Sequence, residues 1–174
     1  MAWAFSLSVE CGQSQDVAER FAAHFEGTAL TLSTDAHSQC HTTIFQDMDE
    51  NWWCRVCPSD VSQTGIEVPD TAYLMTELGI LLYQRLRTAP PFRYGIVGVE
   101  VDEFRTYSEL LEDLPTSSFP GLIMAEDILR ATVSPSTFRS FTQGYVWQPY
   151  EGEVYKPLTV SDVLKEQMSS LLTA

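Results

Sequence analysis

Asp70-Thr71-Ala72-Tyr73-Leu74-Met75-Thr76-Glu77-Leu78-Gly79-Ile80-Leu81-Leu82-Tyr83-Gln84-Arg85-Leu86-Arg87 is followed, across Thr88-Ala89-Pro90-Pro91, by Phe92-Arg93-Tyr94-Gly95-Ile96-Val97-Gly98-Val99-Glu100-Val101. The first run sets Leu74, Leu78, Leu81, Leu82 and Leu86 at the 3.6-residue helical period, and Met75, Ile80 and Tyr83 widen that stripe. A helix apolar over so much of its circumference is expected to be central and heavily buried. Asp70 is placed to cap its start, and Pro90-Pro91 prevent its continuation. The second run is apolar on both faces near its middle, the pattern of a strand in a sheet interior. Gly95 and Gly98 fall inside that strand without the spacing of a dinucleotide fingerprint, so a bulge or a close backbone approach is expected there.

Shorter elements flank this pair. Trp3, Phe5, Leu7 and Val9 alternate as a first strand. Ser14 to Glu26 reads as a helix with Val17, Phe21 and Phe25 on one stripe, capped by Ser14 or Asp16 and stopped by Gly27. Thr28 to Ser33 reads as a strand and Thr34 to Gln39 as a loop. Cys40–Gln46 and Asn51–Cys57 read as a hairpin around Asp47-Met48-Asp49-Glu50, with Gln46 opposite Asn51. Pro58 to Gly65 is loop, and Ile66 to Val68 a brief strand. Thr106-Tyr107-Ser108-Glu109 matches a capping box at the start of a helix running to Leu114. Leu122 to Arg130 fits helix or strand, Ser134 to Gln143 is polar, and Tyr145–Trp147 is a strand. A helix over Val160–Leu172, capped by Thr159, ends the chain. With no repeat and no linker, residues 1–174 are expected to form one α+β domain: a mixed or largely antiparallel sheet of five to seven strands carrying three or four helices.

The chain has 174 residues, enough to bury roughly 70% of its unfolded surface without disulfides or metals. Ten basic against 24 acidic residues give a net charge of −14, which argues against direct nucleic-acid binding. No stretch approaches the ~20 apolar residues of a membrane span. The N-terminus lacks the basic leader of a signal peptide, and four cysteines are too few for a disulfide framework. A cytoplasmic protein with reduced thiols is the expectation.

His37-x2-Cys40 and Cys54-x2-Cys57 have ligand types that suit tetrahedral zinc, with His41 in reserve. Alternation along a strand opposes this, because Cys54 and Cys57 would point to opposite faces. Buried or edge thiols, or a Cys40–Cys57 disulfide across the hairpin, are the alternatives. Asp47-x-Asp49-x-Asn51 begins like a calcium loop, but Trp52 and Pro58 stand where that loop needs Gly and Glu. Cys11 could serve a hydrolase only with His24, His37 or His41 against it, and a carboxylate pair is the other hydrolytic possibility.

The densest charge lies at Glu100, Asp102, Glu103, Glu109, Glu112 and Asp113, six acids against Arg105 alone. Such a face can be plain solvated surface or a docking site for a basic protein, as in inhibitors and immunity-type proteins, or in acidic mimics of nucleic acid. Tyr145 and Trp147, with Tyr150 and Tyr155, are either a second contact surface or core packing at a sheet edge. Eight of the ten basic residues are arginine, and Arg55, Arg93 and Arg105 are expected beside acids as internal ion pairs. The favoured reading is a binding module without a catalytic site or cofactor, holding a basic partner on this acidic face.

Overall fold

The computed structural model describes residues 4–59, 68–102, 104–132 and 137–173. Trp3 of the expected first strand, Ile66 and Glu67 of the expected brief strand, most of the 58–65 loop, Glu103 and residues 134–136 lie outside them. The strands are β1 (Phe5–Glu10), β2 (Ala29–Thr31), β3 (His37–Gln46), β4 (Trp52–Pro58), β5 (Tyr94–Val99), β6 (Ile123–Ala125), β7 (Arg139–Thr142) and β8 (Tyr145–Trp147). They form one sheet, ordered β2-β3-β4-β1-β5-β6-β8-β7, in which every pairing is antiparallel. The helices are α1 (Gln15–Phe25), α2 (Pro69–Leu86), α3 (Tyr107–Asp113), α4 (Glu126–Arg130) and α5 (Asp162–Thr173).

The α+β class is as expected, with a larger sheet and one more helix. The ambiguous stretch at 122–130 is both things, since β6 runs directly into α4. The polar stretch before Gln143 supplies β7, which holds one buried residue, Phe141. His37 to Gln39, expected in a loop, already pair with β2.

β1 and β5 occupy the middle of the sheet, so both are flanked on two sides. One face carries Leu7, Val9, Cys54, Val56, Val97, Ile123 and Trp147 into the main core, beneath α1 and α2, and α5 packs on α2. α2 buries residues around most of its girth. Its N-cap is Val68, not Asp70. Pro69 starts the helix, where a missing N–H costs nothing, and Asp70 places its charge in the first turn. Ser14 stands at the N-cap of α1 without a side-chain bond, and Gly27 takes the left-handed conformation (φ 72°) that ends it. Thr159 belongs to a 3-10 turn (Pro157–Thr159), and Ser161 supplies the hydroxyl that accepts the Leu164 N–H of α5. The opposite face carries a smaller core, in which Leu110 of α3, Leu114 at its C-cap and Ile128 of α4 meet Trp53, Tyr94 and Met124. The capping box of α3 is complete, so its start is fixed beside the sheet. Among the described residues no helix is long and apolar enough to cross a membrane.

The hairpin register differs by one residue from the expected one. Gln46 faces Trp52, Ile44 faces Cys54 and His41 faces Cys57. The cause is the turn. The Asp47 carboxylate accepts the N–H groups of Asp49 (2.9 Å) and Asn51 (3.0 Å), and Glu50 is left-handed (φ 60°), so the loop consumes five residues. Cys40 therefore opposes Pro58 instead of Cys57, and all four cysteines are free thiols.

Candidate functional site

The hairpin tip and α3 face each other across a groove of about 580 Å3. Phe45 and Trp53 are cross-strand partners with nearly parallel rings (10°, 6.3 Å between centroids) and make its sheet-side wall. The second Asp47 oxygen accepts the Trp53 indole N–H at 2.8 Å, which fixes that ring. Phe104 lines the other side, with Arg105, Thr106 and Glu109. The Ser108 hydroxyl donates to Asp49 at 3.0 Å and ties α3 to the hairpin tip. Met48 stands 91% exposed at the lip.

Charge in the groove is one-sided. Asp47, Asp102 and Glu109 line it against a single guanidinium, Arg105, which is bound to Asp113 at 2.7 Å and lies beside the rings of Phe104 and Phe119. Asp102 is paired with Arg55 at 2.8 Å. Behind the groove, Glu10 is fully buried. Its carboxylate accepts both Nε and Nη2 of Arg93 and the Gly12 N–H, and the Arg93 guanidinium lies 4.1 Å over the Tyr107 ring. Burial pushes the Glu10 carboxyl above its usual range, against the opposing pull of Arg93 and Gly12. All three arginines expected beside acids are thus in ion pairs.

The acids read as one face are divided among different tasks. Glu100 is exposed and accepts the Ala4 N–H at 2.8 Å. Glu109 accepts the Thr106 N–H within the capping box while lining the groove. Asp113 is held by Arg105, Glu112 is exposed away from the groove, and Glu103 lies outside the described residues. Tyr145 and Trp147 are packed inward. Trp147 is 1% exposed between Tyr83 and Phe141, and the Tyr145 hydroxyl bridges the N–H and carbonyl of Phe92 under a stacked ring. This is the core-packing alternative, and neither side chain joins the groove.

His37, Cys40, Cys54 and Cys57 do not converge. Cys40 and Cys54 point to the main core and Cys57 to the other face, while His37 bonds Thr31. Among the described residues no three His, Cys, Asp or Glu side chains are grouped as metal ligands. Burial pushes the Cys40 thiol up to about 11 and that of Cys54 up to about 12, and raises Cys11 and Cys57 as well. Cys11 touches no histidine: His24 bonds the Arg85 carbonyl and His41 approaches Glu26. A thiol kept protonated and without a base is a poor nucleophile.

No motif or spacing in the sequence marks Phe45, Trp53 or Phe104 as site residues. Phe45 and Trp53 share a face only in the observed hairpin register, one residue from the expected one, and the β4-β1-β5 order brings Phe104 to them. No protein-family model, curated protein or solved structure matches this chain.

Proposed function

We propose that the protein is a binding module that receives a basic side chain of a protein partner in the groove between the hairpin tip and α3. The supporting observation is the lining itself: an aromatic floor with three carboxylates, of which Asp102 is paired with Arg55 while Asp47 and Glu109 are in no ion pair among the described residues, and a single guanidinium already neutralised by Asp113. Aromatic faces and carboxylates together attract a cation better than either alone, because ring quadrupole and charge act in a partly dehydrated space. The overall −14 charge would speed the approach of a basic partner from a distance. The acidic residues that matter most are then Asp47 and Glu109, with Asp102 shared with Arg55. Glu100, Glu112 and Asp113 contribute only long-range field.

Titration with a blocked Gly-Arg-Gly peptide, followed by NMR at the Trp53 indole N–H, tests this. A saturable shift is expected that weakens as salt is raised, with no response to Gly-Glu-Gly. Met48→Lys places a positive charge on the lip without touching the core, so it should weaken binding about tenfold, or about 1.4 kcal/mol, and leave Tm unchanged. A pull-down from the native host's lysate should then recover a basic partner, released by salt and lost with Met48→Lys. An unresponsive indole signal, or equal binding of both peptides, would overturn the reading.

A further inference from the structure

A second surface, remote from this groove in the fold, has its own chemistry. Leu74, Val154, Tyr155, Val160 and Val163 are all exposed, and they belong to elements that pack together: α2, the 3-10 turn with the loop before it, and the start of α5. Clustered exposure of this kind marks an interaction surface, whereas single exposed apolar residues do not.

The surface has a hollow and a ridge. The hollow, about 320 Å3, lies between the β2–β3 turn, α2 and α5, with Tyr73, Leu74 and Val163 as apolar walls. Its charge is acidic. Asp70 is exposed at its edge, and Glu77 is buried, accepting the Ser33 N–H (2.7 Å) and hydroxyl (3.1 Å) and the Gln167 amide (3.0 Å) with no cation beside it among the described residues. The ridge is residues 154–160. Tyr155 and Lys156 both take the left-handed conformation (φ 73° and 48°), which bulky side chains rarely adopt. The corner is pinned from below, where the Glu153 N–H donates to Thr76 Oγ1 at 3.0 Å and the Tyr150 hydroxyl donates to the Glu153 carboxylate at 2.7 Å. Tyr155 and Lys156 are both exposed at this corner. The chain has only two lysines: Lys156 on this ridge, and Lys165 on α5, which is paired with Asp162 at 3.7 Å.

We infer that this face receives a second copy of the chain about a twofold axis, the Tyr155–Lys156 corner and Val160 of each copy entering the hollow of the other, with Lys156 against Asp70. A twofold interface must be self-complementary, and here an apolar, cationic ridge adjoins an apolar, acidic hollow on one face. A partner presenting only acids to this face would be repelled at Asp70 and Glu77. A basic partner would satisfy the hollow and leave the ridge unmatched.

Sedimentation velocity over a concentration series tests the inference. Wild type should show a monomer–dimer equilibrium with a dissociation constant of about 10 µM or tighter. Val160→Asp, at a side chain 63% exposed, should keep the wild-type fold and weaken dimerisation about 100-fold. Lys156→Glu and Asp70→Lys should each weaken it about tenfold alone, whereas an equimolar mixture of the two variants should recover a heterodimer, since both contacts then pair opposite charges. A wild type that stays monomeric at about 100 µM overturns the inference, whatever other protein it captures. So does a dimer indifferent to Val160→Asp. A mixture no better than its components overturns the twofold pairing of Lys156 with Asp70.

Discussion

Arg93→Met should lower stability by about 3–5 kcal/mol at neutral pH, because it strands a carboxylate that no water reaches. Glu10 is fully buried, and two of the three hydrogen bonds to its carboxylate come from Arg93. Methionine keeps the apolar stem near Tyr107, so packing changes little and the charge dominates. For a chain of this size the loss corresponds to a fall in Tm of about 10 °C. The pH dependence identifies the cause. Burial already raises the folded-state pKa of Glu10, and removing Arg93 raises it further. A raised folded pKa gives stability that is complete below the unfolded value and is lost as pH rises through the folded one. The deficit of the variant should therefore be smallest near the ordinary carboxyl range and grow toward pH 8. Urea denaturation at both ends of that range measures it. Adding Glu10→Gln should restore most of the loss, because the amide oxygen can still accept the Gly12 N–H and no buried charge remains. An equal deficit at acid and alkaline pH would mean that lost packing, not the stranded charge, destabilises the variant.

That Arg93 lies beside an acid is legible in the sequence; that the acid is Glu10 is not. An arginine beside an apolar interior strand has few places to go in an acidic chain, so Arg55, Arg93 and Arg105 could be assigned to acids without knowing which. The interior strand, the buried α2 and the capping box of Thr106 and Glu109 are local patterns, and local patterns survive folding. The hairpin register failed by one residue because two N–H···carboxylate bonds to Asp47 and a left-handed Glu50 set the loop length. One residue suffices to re-pair every side chain across the ladder. β6 has three residues and β7 one buried side chain, so each is a strand chiefly because a neighbour offers it an edge. The acidic run from Glu100 to Asp113 looks like one face because its residues are close in sequence. In space, Arg55 and Arg105 neutralise two of them, and only Asp102 and Glu109 reach the groove. Aromatic walls drawn from residues 45, 53 and 104 depend on strand order, which no spacing reveals.

Gly95→Ala is expected to cost about 3 kcal/mol, near the upper end for overpacking a core. In the β1–β5 ladder Gly95 lies opposite Val9, where a methyl group would stand 2.5 Å from Val9 Cγ1, 2.9 Å from the Ser8 carbonyl oxygen and 3.2 Å from Val9 Cα. Two of these atoms are backbone of a strand held on both sides, so nothing can turn aside, and the strands must separate. Gly98→Ala in the same strand is the control. There the nearest atom is Val101 Cγ1 at 2.9 Å, the tip of a side chain that can rotate, and a cost of about 1 kcal/mol or less is expected. A difference of about 2 kcal/mol between two identical substitutions in one strand would be due to what each methyl group meets, since their intrinsic strand preference is the same. Equal costs would show that β1 yields at Val9 after all. The same seam bears on binding. The Phe45–Trp53 wall reaches the groove through β4 and β1, and the Phe104 wall through β5, so the tight approach at Gly95 sets how far apart the walls stand. Gly95→Ala should therefore weaken the Gly-Arg-Gly response at the Trp53 indole even in conditions where the variant remains folded. Retention of full affinity would mean that the hairpin and α3 hold the groove by their own contact through Asp49 and Ser108.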